Sequence, residues 1–81
     1  MFMEANLLAL IVADPAVGHG QACIRGSRVP VSVVLDCLAD GMSVSEIVTE
    51  YPSIDGSGVR AAAAYGAQLA REELVPLRTA P

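Results

Sequence analysis

Apolar and polar positions divide the chain into an extended first third and a helical remainder. The longest unbroken apolar run, Leu7 to Ala13, is rich in Leu, Ile and Val and stops at Asp14-Pro15. Proline disfavours helical geometry at the residue before it, so the element closes there. Length and flanks predict a buried strand, and a short helical turn at its start fits the same residues. Gly18-His19-Gly20 is turn chemistry, and Ala22-Cys23-Ile24-Arg25 reads as a second short strand that Gly26-Ser27 breaks. Residues from about 7 to 31 therefore predict a β-hairpin, a unit that needs helices or a second copy to cover it.

From about Ser32 the period changes. Val31, Val34, Leu35 and Leu38 fall at i, i+3, i+4 and i+7, one face of a helix, and Val33, Cys37 and Ala39 widen it. Ser32, Asp36 and Asp40 are left to face outward, and Gly41 supplies the left-handed stop. Ser43-Val44-Ser45-Glu46 fits a capping box, with Met42 and Ile47 placed as its hydrophobic staple. Pro52 ends that short helix at Tyr51. Asp55 is the expected cap of a third helix over about Gly56 to Glu73, whose stripe reads Val59, Ala62, Ala63, Gly66 and Ala70, with Leu69 beside it. Val75 to Pro81 carries two prolines and no periodicity, and reads as a tail. The fold class expected is α+β, mostly α: a short N-terminal β-hairpin followed by a three-helix, helix-turn-helix-like bundle. A single domain over about 1–74 and a flexible tail over 75–81 complete the expected organisation.

Composition narrows the function. An 81-residue chain of 8.4 kDa has room for one small domain, and 53% apolar with 17% charged residues excludes a disordered one. Such apolar enrichment hints at a second copy or a partner. Five arginines, no lysine and nine acids give a net charge of −4 and a pI near 4.6. That excludes a generally basic nucleic-acid binder and leaves room for a local arginine patch. Cys23 and Cys37 have no paired spacing and read as two thiols of a reducing compartment. No apolar run approaches the roughly 20 residues of a membrane span, and no basic leader precedes the first strand, so a cytoplasmic protein free of the membrane is expected.

Catalytic chemistry has little support. His19, the sole histidine, lies between two glycines without a visible nucleophile or orienting partner. The pairs Asp36/Asp40 and Glu46/Glu50 read as solvated helix faces, since magnesium sites usually recruit acids from several elements. No enzyme activity, cofactor or metal is expected. A binding role fares better. The short turn Pro52 to Asp55 joins two helices after a third, the spacing of a helix-turn-helix unit, and a plain three-helix bundle accommodates the same spacing. In the former, Ser57 and Arg60 face DNA while Arg71 lies too far along. Arg25 and Arg28 flank the Gly26-Ser27 turn, where they suit phosphates or a neighbour's carboxylate.

In chain order, several segments together resemble the domain-of-unknown-function 433 family, small antitoxin-like proteins of bacteria and archaea. They are Asp14-Pro15, Gly20-Gln21-Ala22-Cys23-Ile24-Arg25-Gly26-Ser27-Arg28-Val29-Pro30-Val31, Leu38-Ala39-Asp40-Gly41-Met42-Ser43, Glu46-Ile47, Tyr51-Pro52 and Val59-Arg60-Ala61-Ala62 with Tyr65. The resemblance runs from about Val12 to Ala70. Ser27 stands where threonine is commoner, Ala22-Cys23 replaces Pro-Val, and Asp55-Gly56-Ser57-Gly58 replaces a Glu-rich capping stretch. The resemblance implies a homodimeric, VapB-like type II antitoxin that neutralises a PIN-like ribonuclease toxin and represses its own operon by binding operator DNA. The DNA-facing candidates are then Arg25, Ser27, Arg28, Ser57 and Arg60. The dimer candidates are Leu8, Leu10, Ile11, Val12 and Ile24, because an exposed apolar strand is an aggregation hazard unless another chain covers it. The toxin-facing candidates are Glu72, Glu73, Leu74, Leu77 and Arg78, in a terminal segment of the kind that orders on binding. The alternative is a protein–protein interaction module or a free-standing transcriptional regulator with no toxin partner.

Overall fold

A computed structural model describes residues 7–13, 15–16 and 20–72 of the chain. Two strands, β1 (Ile11–Ala13) and β2 (Ala22–Ile24), precede three helices, α1 (Val31–Ala39), α2 (Val44–Glu50) and α3 (Gly56–Glu72). The strands pair antiparallel, with Ile11 opposite Ile24, Val12 opposite Cys23 and Ala13 opposite Ala22. The architecture is α+β and mostly helical, a two-stranded hairpin followed by three helices. Gly18-His19 and Asp14, assigned above to the connection, lie outside the described residues.

β1 is shorter than the apolar run that announces it. Leu7 and Leu8 are helical, and the Leu10 amide donates to the Leu7 carbonyl at 2.9 Å. The reason lies in the partner strand. The Arg25 amide still reaches the Leu10 carbonyl at 2.7 Å, but the chain then turns at Gly26. Beyond Leu10, β2 has no amides left to pair, so Leu7 and Leu8 satisfy the backbone locally.

α1 follows Pro30, whose φ of −65° suits entry to a helix. It buries Val31 and Val34, and exposes Ser32, Asp36 and Asp40 as expected. Ala39, assigned above to the buried face, is exposed. The helix ends in a Schellman motif: Gly41, at φ +90°, donates to the Leu38 carbonyl and Met42 to that of Cys37, both at 3.0 Å. One residue later the capping box begins. Glu46 donates its amide to Ser43 Oγ at 3.1 Å, while its Oε1 accepts from the Ser43 amide at 2.8 Å. The bond from the Ser43 amide first, and the nearby Ser43 hydroxyl second, hold the Glu46 carboxyl below its ordinary value near 4.5.

α3 is capped by Asp55, whose Oδ1 accepts from the Gly58 amide at 3.0 Å. Its buried face is Gly58, Val59, Ala61 and Ala62, continued by half-buried Tyr65, Gly66 and Leu69. Ala63 and Ala70, assigned to the buried stripe by their spacing, face solvent. Four consecutive alanines, Ala61 to Ala64, make every direction equally apolar, so periodicity cannot orient the helix there. Close approach orients it instead. A β-carbon on Gly58 would stand 3.1 Å from Ile24 Cγ2, and one on Gly66 3.1 Å from Leu35 Cδ1. Hairpin and α1 are thus seated against the two bare points of α3. The core between them is aliphatic, built on Val34, Ile47 and Val59 with Ile24, Val29 and Ile54. Among the described residues, no charged or polar side chain is buried and no helix is long and apolar enough to cross a membrane.

The two glycines should respond oppositely to alanine. Ile24 and the Ile54 β-carbon (3.3 Å) are fixed in the core around Gly58, so Gly58→Ala is expected to lower unfolding free energy by about 1–3 kcal/mol. Around Gly66 the near atoms are the mobile tip of half-buried Leu35. Gly66→Ala should therefore leave stability unchanged or raise it by up to about 1 kcal/mol through helix propensity, read by urea melts. The cap adds a pH dependence. A carboxyl with a lowered folded-state pKa stabilises above its ordinary value, and that contribution is lost as pH falls through the lowered one. Glu46→Gln should accordingly reduce the thermal midpoint near pH 7, with the difference from the unaltered chain closing as pH falls below 4.5 and through the lowered folded-state value.

Candidate nucleic-acid interface

The segment Ile24 to Pro30 is a self-closed loop. The Ser27 amide donates to the Ile24 carbonyl at 3.0 Å, with Gly26 third in the turn at φ +78°, the sign a type II turn requires at that place. Ser27 Oγ donates to the same carbonyl at 2.7 Å and accepts from the Val29 amide at 3.1 Å. The Ile24 amide donates to the Val29 carbonyl at 3.0 Å, and a bridge joins Cys23 to Pro30. The hydroxyl at position 27 therefore faces inward and locks the loop. Arg25 and Arg28, on either side of Gly26-Ser27, are both exposed, and among the described residues no carboxylate pairs with them.

Arg25 forms one wall of a cleft of about 600 Å³ whose other wall is Pro52, Ser53, Asp55 and Ser57. Asp55 and Ser57 also border a shallower depression of about 450 Å³, with Val44 and Arg60 on its far side. Arg60 is exposed and its Nη2 donates to Ser57 Oγ at 3.4 Å. The turn 51–55 thus brings the start of α3 beside the hairpin loop. Arg25, Ser57 and Arg60, far apart in sequence, border two adjoining concavities. Arg71 is eleven residues further along α3, about 16 Å away along the axis, where its Nη1 donates to Gln68 Oε1 at 3.3 Å. Charge divides by element: α1 with its C-cap and α2 carry Asp36, Asp40, Glu46 and Glu50 and no base. Among the described residues there is no group of three or more His, Cys, Asp or Glu able to hold a metal ion.

Other assigned residues separate differently. Ile24, assigned above to the dimer candidates, belongs to the chain's own core at 3% exposure. The alternation of the strand turns Ile24 towards α3, and Gly58 makes room for it. Leu8, Leu10 and Ile11 are half-buried, and Val12 is 39% exposed on β1. Glu72 closes α3, while Glu73, Leu74, Leu77 and Arg78 lie outside the described residues. Sequence reasoning assigned no surface role to Val44, which is 43% exposed on the rim of the Arg60 depression. Its signal was the capping box itself, which fixes Val44 as the first residue of α2. Cys23 and Cys37 are free thiols, Cys23 buried and Cys37 partly so.

The family model described as a protein of unknown function, DUF433, matches residues 11–66. The chain belongs to the DUF433 family. The matched stretch runs from the first residue of β1 into α3 and takes in the locked loop, the Arg60 depression and both named walls of the cleft. A curated relative is the uncharacterized protein y4eO of Sinorhizobium fredii (strain NBRC 101917 / NGR234), 34% identical over 56 residues. That alignment covers 69% of this chain and 25% of the relative, so the chain spans about a quarter of the length of the protein it matches. No solved structure matches the chain significantly.

The locked loop makes a direct prediction for this DUF433 domain. Ser27→Ala leaves the Val29 amide without its partner and the Ile24 carbonyl with the Ser27 amide alone, and should lower stability by about 1–3 kcal/mol in denaturant melts. Ser27→Thr keeps the hydroxyl and should retain most of that stability.

Proposed function

We propose that the protein is a non-enzymatic, cytoplasmic antitoxin of a type II toxin–antitoxin pair. It acts as a homodimer that binds operator DNA and neutralises a PIN-like ribonuclease. The observation that carries the DNA half is the gathering of Arg25, Ser57 and Arg60 around the start of α3, beside its cap Asp55, on a chain of net charge −4. In helix-turn-helix docking the second helix of the pair presents its N-terminal residues to the major groove while flanking elements lie on the backbone. α2, the 51–55 turn and α3 provide that pair, and the Arg25–Arg28 loop is the flanking element. The carboxylates of α1, its C-cap and α2 favour this orientation, because that side of the molecule is repelled by phosphate.

The toxin half rests on the family resemblance and on charge. The exposed carboxylates of α1, its C-cap and α2 complement the basic surface with which a ribonuclease holds RNA, and such complementarity speeds association. Val12 on β1, a strand with one paired neighbour, supports self-association through the hairpin. A second reading, a protein-binding module with no DNA role, is favoured by the net charge of −4 and the absence of lysine.

A salt titration separates the two. Binding of the purified protein to a fluorescent duplex of its own upstream region should weaken steeply between low and physiological salt. Arg60→Ala should reduce that binding and leave rescue of cells from the co-expressed neighbouring ribonuclease intact. Absence of duplex binding at low salt removes the repressor half, and failure of rescue removes the antitoxin half.

A further inference from the structure

The three arginines of the proposed surface are held in two different ways. Arg25 and Arg28 project from a loop, not a helix, whose backbone is fixed by its own hydrogen bonds, and Arg25 stands at the edge of the cleft. Arg60 stands on α3, one turn after Ser57, which accepts one of its five N–H donors. That bond runs along the helix surface and leaves four donors for a ligand, the second Nη2–H forming a fork with whichever of Nε–H or Nη1–H shares its edge. Around Arg60 the exposed face of α3 is bare: Ala63 and Ala67 follow it, so no other long side chain holds this part of the helix away from a groove floor.

We infer that Arg60 is the base-reading residue of this surface and selects guanine in the major groove, while Arg25 and Arg28 hold backbone phosphates; the inference rests on the DNA-binding reading above. Guanine follows from the chemistry of the donor. A guanidinium offers N–H groups only, and the guanine edge presents two acceptors, N7 and O6, at the spacing of its fork. Adenine presents one acceptor beside a donor, and cytosine presents a donor. Ser57 acts as a positioning residue, since its hydroxyl is engaged with Arg60. The loop arginines lie off the helix that enters the groove, where phosphates pass.

The test is selection from a randomised duplex library by the full-length protein and its variants, with affinities of the selected duplexes measured against salt. The unaltered protein is expected to enrich a motif containing an invariant guanine. Arg60→Ala should lose the preference for that guanine by about 10- to 100-fold with an unchanged salt slope. Arg60→Lys keeps the charge, lacks the fork, and should lose it as well. Arg25→Ala and Arg28→Ala should keep the motif, weaken all duplexes alike and each lower the slope by about 1. Arg60 is exposed, so its variants should melt with the unaltered protein, which separates lost recognition from lost fold. A motif that survives both Arg60 variants overturns the inference alone, as does a lowered slope with the motif intact. No salt-dependent binding of any duplex by the unaltered protein overturns the DNA reading and the inference together.

Discussion

Ile24 is bonded on every side, and the two parts of the molecule are joined through it. Its amide and carbonyl are taken up by Val29 and Ser27, which close the loop behind it. Its side chain lies against the bare backbone of Gly58 in the first turn of α3. A hairpin of three-residue strands cannot persist alone, so its position relative to the helices is set by this contact. The Arg25 wall of the cleft begins at the next residue, and Ser57 of the opposite wall precedes Gly58. The candidate interface is therefore the outer side of the contact that holds the fold together. Shape of the site and stability of the domain are linked for that reason.

How much of this was legible in the sequence differed from element to element. Helix boundaries were readable because they depend on local chemistry: Gly41, the Ser43 and Glu46 reciprocal bonds, Pro52 and Asp55 each act within a few residues of themselves. The order hairpin, helix, helix, helix followed from those signals. Orientation was not readable where composition was uniform. The alanine run carries no directional information, and the seating of Gly58 and Gly66 is decided by Ile24 and Leu35 from other elements. Strand length likewise depends on where the partner turns.

The candidate site shows the same division. Arg25, Ser57 and Arg60 could be named from the motif and the turn spacing, and their convergence needed the fold. Ser27 and Ile24 look like surface residues in a linear reading because they flank glycine and arginine. Both are occupied internally, one by hydrogen bonds and the other by packing. In a domain of this size a residue that is part of the motif is often part of the support. Asp36, Asp40, Glu46 and Glu50 are simpler: each is exposed on or at the end of a short helix, and together they give α1, its C-cap and α2 one sign of charge.

The self-closed loop also bears on entropy. A flexible segment that carries cations must be ordered when it meets a polyanion, and backbone ordering costs about 1–2 kcal/mol per residue. Here the backbone from Ile24 to Pro30 is already restrained by the bonds of Ile24, Ser27 and Val29. Arg25 and Arg28 therefore have only side-chain rotamers left to lose on binding, and their separation is set before any ligand arrives. A loop whose own hydrogen bonds look purely structural thus acts as a ruler, fixing the spacing at which its two arginine side chains leave the backbone.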